Sequence, residues 1–286
     1  MTTTLPMPKL LPILSLKNAH ERDSNLVFDE PTHKYTIVTD PDSKYTSVTS
    51  WNLQHFPHFD ADKIINKMMS GVNWNSKNKY WGQTAEQIKD GWSQNGAAVS
   101  SLGTALHYRI ECFMNDELEY EDGEPCDYTH EQLLEVYDGS LLPAVTEWNY
   151  FIQFVRDHPH LKPYRTEWMI YDEDLKLAGS IDMVYENEDG SLSIYDWKRA
   201  KEITKFNYYK ETATTDCIKW LPNTNYWHYS LQLNTYKAII ERKYGKTVTS
   251  LVLVRLHPNA KTYELIECAN LTEEVNNLFE ERSLMM

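Results

Sequence analysis

Residues 175–199 read LKLAGSIDMVYENEDGSLSIYDWKR, two runs of alternating character around Asp189 and Gly190. Alternation with period two predicts two β-strands, and an Asp-Gly pair tolerates the left-handed backbone of a short hairpin turn. Asp182 then shares a strand face with Ser180 and Val184, while Asp196 and Lys198 share one with Leu192 and Ile194. Two carboxylates and a lysine gather at strand ends, where an apolar sheet gives way to a polar cleft. That grouping suits a hard divalent cation and a water molecule to be activated. A solvated strand face with a salt bridge is the plainer explanation of the same residues, so the rest of the chain has to decide.

With 286 residues the chain can bury a sizeable core, as one domain with insertions or two packed lobes. Cys112, Cys126, Cys217 and Cys268 are scattered with no CxxC pair, which argues against a zinc ribbon and fits reduced thiols. No run approaches the roughly 18 apolar residues that span a bilayer. The opening MTTTLPMPKLLPILSLK is too short and proline-broken for a signal peptide, and a soluble intracellular protein without a membrane partner is expected. The net charge of −14 argues against a polyanionic partner until its distribution is considered. Between Glu111 and Glu147 there are 12 acidic residues and no Lys or Arg, so the remainder of the chain carries only −2. An acidic face turned away from a polyanion, and cations in a cleft, leave nucleic acid admissible.

Residues 1–24 read as an irregular arm. The β-branched runs at Tyr35–Val38 and Tyr45–Thr49, around an Asp-Pro-Asp-Ser turn, predict a small hairpin. Phe59–Met69 reads as a helix with Asp60 near its start. Trp74, Tyr80, Trp81 and Trp92 then interleave with Lys77, Lys79 and Lys89, a mixture that suits stacking on bases and holding phosphates, and equally suits a helical subdomain with its tryptophans inside. Ser100–Asn115 predicts a helix capped by Ser100 or Ser101, with Leu102, Leu106, Ile110 and Phe113 as its apolar stripe. His107 and Glu111 are four apart and project from one face, either toward a common site or as a surface pair.

An acidic loop at 122–125 and a helix from His130 to His158, kinked near Gly139 and Pro143, follow. Strands are expected at about 166–171, 177–185 and 191–197, with Glu167 at the start of the first. Arg199, Lys201, Lys205, Tyr208 and Tyr209 then suit a wall for a phosphate backbone, and simple solvent exposure would also account for them. A helix from Asn225 to near Gly245 with Gln232 and Tyr236 on one face, two further strands and a final helix complete the chain.

In this order GTALHYRIE, Glu167, GSIDMV, YDWK and QLNTY resemble the PD-(D/E)XK nuclease superfamily, especially its RecB-like exonuclease branch with phage, large-virus and mitochondrial genome-maintenance members. The likeness covers about residues 99–245, and FDEPTHKYT and YTSVTSW resemble segments ahead of the core in phage relatives. The resemblance implies an α/β (α+β) fold: a restriction-endonuclease-like core with a central mixed sheet flanked by helices, an N-terminal hairpin and a helical insertion. Residues 1–98 would form an N-terminal region packed on a nuclease core at 99–286.

Residue by residue, the resemblance implies that Asp182 is the first metal-binding aspartate, Asp196 the acid of the (D/E)XK element and Lys198 its lysine. His107 matches the helix histidine and Glu111 the acid beside it. Gln232 and Tyr236 match a QxxxY element that contacts DNA, and Glu167 supports the ligands from behind. The oxygen donors of Asp182, Asp196 and the Trp197 carbonyl suit Mg²⁺ or Mn²⁺, with His107 as a further ligand. An iron-sulfur cluster is not expected, since the four cysteines lack the closely spaced C-terminal group of such relatives. The implied activity is a metal-dependent DNA exonuclease acting on single strands or free ends in replication, recombination or repair, with partner proteins of those processes, in a phage- or virus-infected cell. A DNA endonuclease, an RNA-directed nuclease and a non-catalytic nucleic-acid-binding or assembly protein of the same fold are the alternatives.

Overall fold

The central hairpin forms as its alternation requires, and its turn lies where Gly190 adopts a φ of 80°. Asp189 secures that turn by accepting from the Ser191 backbone N–H at 2.9 Å. The structure, a computed structural model, describes residues 9–10, 12–29, 31–115, 118–119 and 145–286. Among these the elements in chain order are β1 (Lys9–Leu10), α1 (Ile13–Lys17), β2 (Leu26–Asp29), β3 (Lys34–Ile37), β4 (Thr46–Ser47), α2 (Val48–Leu53), α3 (Ala61–Met69), α4 (Ala85–Asn115) and β5 (Leu118–Glu119). They continue with α5 (Val145–Asp157), β6 (Lys162–Asp172), β7 (Leu177–Glu186), β8 (Leu192–Lys198), α6 (Asn225–Lys243), β9 (Val248–Arg255), β10 (Glu264–Glu267) and α7 (Thr272–Ser283).

The main sheet is mixed, in keeping with the expected restriction-endonuclease-like core. Strands β6, β7 and β8 run antiparallel in turn, β8 lies parallel to β9, and β10 pairs antiparallel with β9. One edge of β7 is taken up along its length by β6, from Leu177 to Glu186. On its other edge β4 pairs with Leu177 and Ala178, and β8 with Met183 to Glu186. Among the described residues, 179–182 of β7 therefore have no strand partner on that edge, where β4 and β8 leave a gap.

Alternation in β7 and β8 feeds two cores. Val184, Leu192 and Ile194 pack with Val48 and Trp51 of α2, with Leu233, Ile239 and Ile240 of α6, and with Val275, Leu278 and Phe279 of α7. Met183, Tyr185 and Trp197 face the other way, onto Leu106 and Ile110 of α4 and Trp148, Phe151 and Phe154 of α5. Each large apolar side chain removed from water contributes about 1.5–3 kcal/mol. A one-residue register slip would exchange the two sets, so the register that positions Asp182 and Asp196 is strongly specified.

Two sequence expectations are corrected. Tyr35 lies in β3, which pairs with β2 rather than with the run at 45–49; Thr46 and Ser47 instead join the main sheet beside Leu177 and Ala178. Ser100 and Ser101 cap nothing, because α4 already begins at Ala85. Its start carries a reciprocal capping pair, Gln87 N–H to Thr84 Oγ1 and Thr84 N–H to Gln87 Oε1. The acidic loop at 122–125, Cys126 and the whole of the predicted helix from His130 to Pro143, its kink included, lie outside the described residues.

The chain divides into two compact units, Met1–Pro57 with Leu106–Met286, and His58–Ala105. The smaller unit holds α3, whose N-cap Asp60 accepts from the Lys63 N–H at 2.9 Å, and the aromatic cluster of Trp74, Tyr80, Trp81 and Trp92. No helix among the described residues is long and apolar enough to cross a membrane.

Candidate active site

The cleft begins where the β7–β8 ladder ends. Its last pair is Met183 with Tyr195, and beyond it the Trp197 backbone N–H donates to Asp182 Oδ2 at 3.0 Å. An unpaired buried N–H costs about 1–3 kcal/mol, so the Asp182 carboxylate both ends the ladder and satisfies it. The Trp197 indole lies in the apolar cluster below, while its carbonyl oxygen is 2.9 Å from His107 Nε2. A carbonyl only accepts, so His107 carries a proton on Nε2. Its Nδ1 then stands 3.5 Å from Asp182 Oδ2, two acceptors facing each other unless a cation or a second proton intervenes.

Glu167 completes this side. The register sets Thr166 against Met183 and Trp168 against Ile181, which leaves Glu167 across from Asp182. Its φ of 41° lies in the left-handed region, which costs a residue other than glycine about 1–3 kcal/mol. The Ser180 hydroxyl donates to its Oε2 at 2.9 Å. One ligand atom from each of His107, Glu167 and Asp182 lies within 4.8 Å of the other two. Burial, and after it the Asp182 charge, push the Glu167 carboxyl up to about 8. Burial pushes Glu111, one turn of α4 beyond His107, up to about 7.

At the end of β8, Lys198 Nζ is 2.5 Å from Asp196 Oδ2 and 4.6 Å from the centre of the Tyr229 ring. Burial alone would lower the Lys198 ammonium, but Asp196 and Asp182 outweigh it and hold its pKa above the usual lysine range. Burial raises Asp196 above the ordinary carboxylate value, and Asp182 adds to this while Lys198 opposes it. Despite its short contact with Lys198, Asp196 Oδ2 is buried outside hydrogen-bonding geometry.

These features fit a divalent cation. The three-residue donor set is one histidine and two carboxylates, a buried Asp196 oxygen lacks a well-formed hydrogen bond, and burial pushes Glu167 and the nearby Glu111 toward their neutral forms, a shift that a bound cation would oppose. His107 Nδ1 and Asp182 Oδ2, two acceptors 3.5 Å apart, are the atoms between which such a cation would be held. Glu167, expected behind the ligands, stands among the ligand-capable groups, and Asp196 stands with Lys198 instead.

Gln232 and Tyr236 meet each other: Gln232 Nε2 donates to the Tyr236 hydroxyl at 3.1 Å. Tyr236 is 2 % exposed, which leaves it no surface for DNA and corrects that expectation. Its ring lies against the β7 backbone, where a Cβ on Gly179 would come within 2.8 Å of its Cε1. Arg199, expected along the phosphate backbone, is 12 % exposed and pairs through Nε with the fully buried Glu147 at 2.8 Å. Lys201 and Lys205 remain exposed. In the smaller unit Lys77, Lys79 and Trp81 are exposed, Trp74 meets Trp81 at a tilt of 57° with ring centres 5.6 Å apart, and Trp92 donates to the Tyr80 hydroxyl at 2.7 Å. Sequence reasoning missed Tyr229; its place three residues before Gln232, on one helix face, was the available signal.

Comparison with solved structures brings up SSO0001, 13% identical with a TM-score of 0.26 over 54% of this chain and 65% of that one. A candidate exonuclease from Eubacterium rectale is 15% identical, with a TM-score of 0.29 over 57% of this chain and 74% of that one. The chain thus spans slightly less than two thirds of the first of these proteins. No curated protein matches it. The sequence model of the PD-(D/E)XK nuclease superfamily matches residues 76–283, well over half the chain and the whole cleft from His107 to Tyr236. By that match, the chain belongs to the PD-(D/E)XK nuclease superfamily.

Proposed function

We propose that this nuclease is a metal-dependent DNA exonuclease of the RecB-like kind, acting on single strands or free ends during replication, recombination or repair. The observation that carries the proposal is the approach of His107, Glu167 and Asp182 within 4.8 Å of one another in the same cleft as the Asp196–Lys198 pair. Mg²⁺ or Mn²⁺ fits that donor set, His107 favouring Mn²⁺. When bound, such an ion supplies Lewis acidity to a phosphate oxygen and lowers the pKa of water.

The protein's own residues do the rest. Asp182, held by the Trp197 N–H, presents a carboxylate at fixed orientation. Lys198 stays charged beside Asp196 and is placed to orient the attacking water or to stabilise charge developing on the phosphate. Glu111, pushed up to about 7 by burial, suits proton uptake from that water near neutral pH. Gln232 and Tyr236 brace the backbone at Gly179, three residues before Asp182. Hydrolysis adds the water oxygen to phosphorus, breaks one P–O ester bond and delivers a proton to the departing oxygen.

The test compares linear and covalently closed circular DNA in Mg²⁺ and in Mn²⁺. Degradation of the linear form with the closed circle intact is expected; efficient cutting of the circle would assign an endonuclease instead.

A further inference from the structure

The loop that follows Lys198 holds large aromatic side chains in water. Phe206 is 86 % and Tyr208 92 % exposed, although the main cores bury side chains of this size. Exposed apolar surface of this kind marks a binding surface when the backbone beneath it is fixed. Here it is fixed at several points: Thr204 N–H donates to Asn225 Oδ1 at 3.0 Å, Asn225 Nδ2 to the Glu202 carbonyl at 2.8 Å, Trp227 Nε1 to the Lys205 carbonyl at 3.1 Å, and Asn207 Nδ2 to the Asn223 carbonyl at 2.8 Å.

Two of those anchors, Asn225 and Trp227, sit in the first turn of α6, and Tyr229 two residues on is the ring that faces Lys198. One helix end thus ties the loop to the edge of the cleft. The loop's charge points to its occupant. Between 200 and 210 there are three lysines, Lys201, Lys205 and Lys210, against the single acid Glu202, in a chain whose net charge is −14. Aromatic rings interleaved with lysines at the rim of a phosphodiester-cleaving site combine π-faces for bases with cations for phosphates. Bases inside a duplex are stacked on each other and do not offer those faces.

We infer that Phe206 and Tyr208 form a stacking platform for unpaired bases, with Lys201, Lys205 and Lys210 along the backbone, and that the nucleic acid delivered to the cleft is single-stranded. The inference rests on the nuclease reading for what happens in the cleft, and its test does not. Fluorescence anisotropy in EDTA would follow three labelled probes, a short oligothymidylate, its abasic counterpart and a duplex of the same length, with the wild-type protein and F206A/Y208A. Both side chains are exposed, so the variant is expected to keep the wild-type melting temperature.

Stacking contributes about 1–3 kcal/mol per base, so the variant should bind the oligothymidylate about 10- to 100-fold more weakly, with binding of the abasic strand and the duplex unchanged. Equal loss on all three probes, or none, would overturn the platform. A wild-type protein that binds as described and cleaves nothing with Mg²⁺ or Mn²⁺ would leave the platform standing and strike the nuclease reading alone.

Discussion

The Asp182 carboxylate accepts the backbone N–H of Trp197 at 3.0 Å, so a group assigned to metal also closes the gap where two strands part. Asp182→Asn and Asp182→Ala separate those roles. The asparagine variant keeps an acceptor for Trp197 and should melt within a few degrees of wild type, yet lose both its thermal response to Mn²⁺ and at least about 100-fold in cleavage rate. The alanine variant should lose about 1–3 kcal/mol of stability as well, because the N–H is left unpaired. Calorimetry with and without Mn²⁺ distinguishes them.

Gly179 has room for no side chain, since an added Cβ would lie 2.8 Å from a carbon of the Tyr236 ring. Gly179→Ala should cost about 1–3 kcal/mol by overpacking. Tyr236→Leu in the same background should recover part of that loss, because a smaller side chain gives way. Urea denaturation of the four proteins of this cycle measures the coupling.

Arg199 and Glu147 form a largely buried pair, with Glu147 fully enclosed and the Arg199 side chain 12 % exposed. Removing one partner of such a pair costs about 3–5 kcal/mol. Arg199→Ala should therefore lower the melting temperature sharply, and any activity it retains in the folded fraction should show an unaltered KM. A raised KM at wild-type stability would return Arg199 to the role of phosphate contact.

The pH response of the metal-free protein follows from Glu167. Its pKa rises from 4.5 in the unfolded chain to about 8 in the cleft, chiefly through burial. Between those values the folded protein holds more protons than the unfolded one, so this group's contribution to stability is present at low pH and is lost as pH rises toward 8. Cation binding needs the deprotonated carboxylate. The increase in melting temperature caused by Mn²⁺ should therefore grow from pH 5 to 8, and Glu167→Gln should flatten that growth; a wild-type shift independent of pH would contradict the placement of Glu167.

Local pattern carried much of this. Asp182, Asp196 and Lys198 were legible because strand alternation is rigid and Gly190 marks the turn, and His107 because a four-residue spacing fixes a helix face. What depends on distant pairing was not. Glu167 reaches the cleft only through the β6–β7 register and its own left-handed backbone. Arg199 meets a glutamate 52 positions away. Thr46 joins the sheet beside Leu177, across more than a hundred residues. The serines at 100 and 101 looked like a helix start because Gly91 and Gly96 weaken the helix signal upstream, yet α4 runs through both.

The central claim is that cleavage belongs to the cation site of His107, Glu167 and Asp182 with Lys198 beside it. The most direct measurement is cleavage of an end-labelled single-stranded DNA by the wild-type protein and by D182N, each in Mn²⁺ and in EDTA. Cleavage confined to the wild-type protein with Mn²⁺ is predicted; equal cleavage by D182N, or by the wild-type protein in EDTA, would contradict the account.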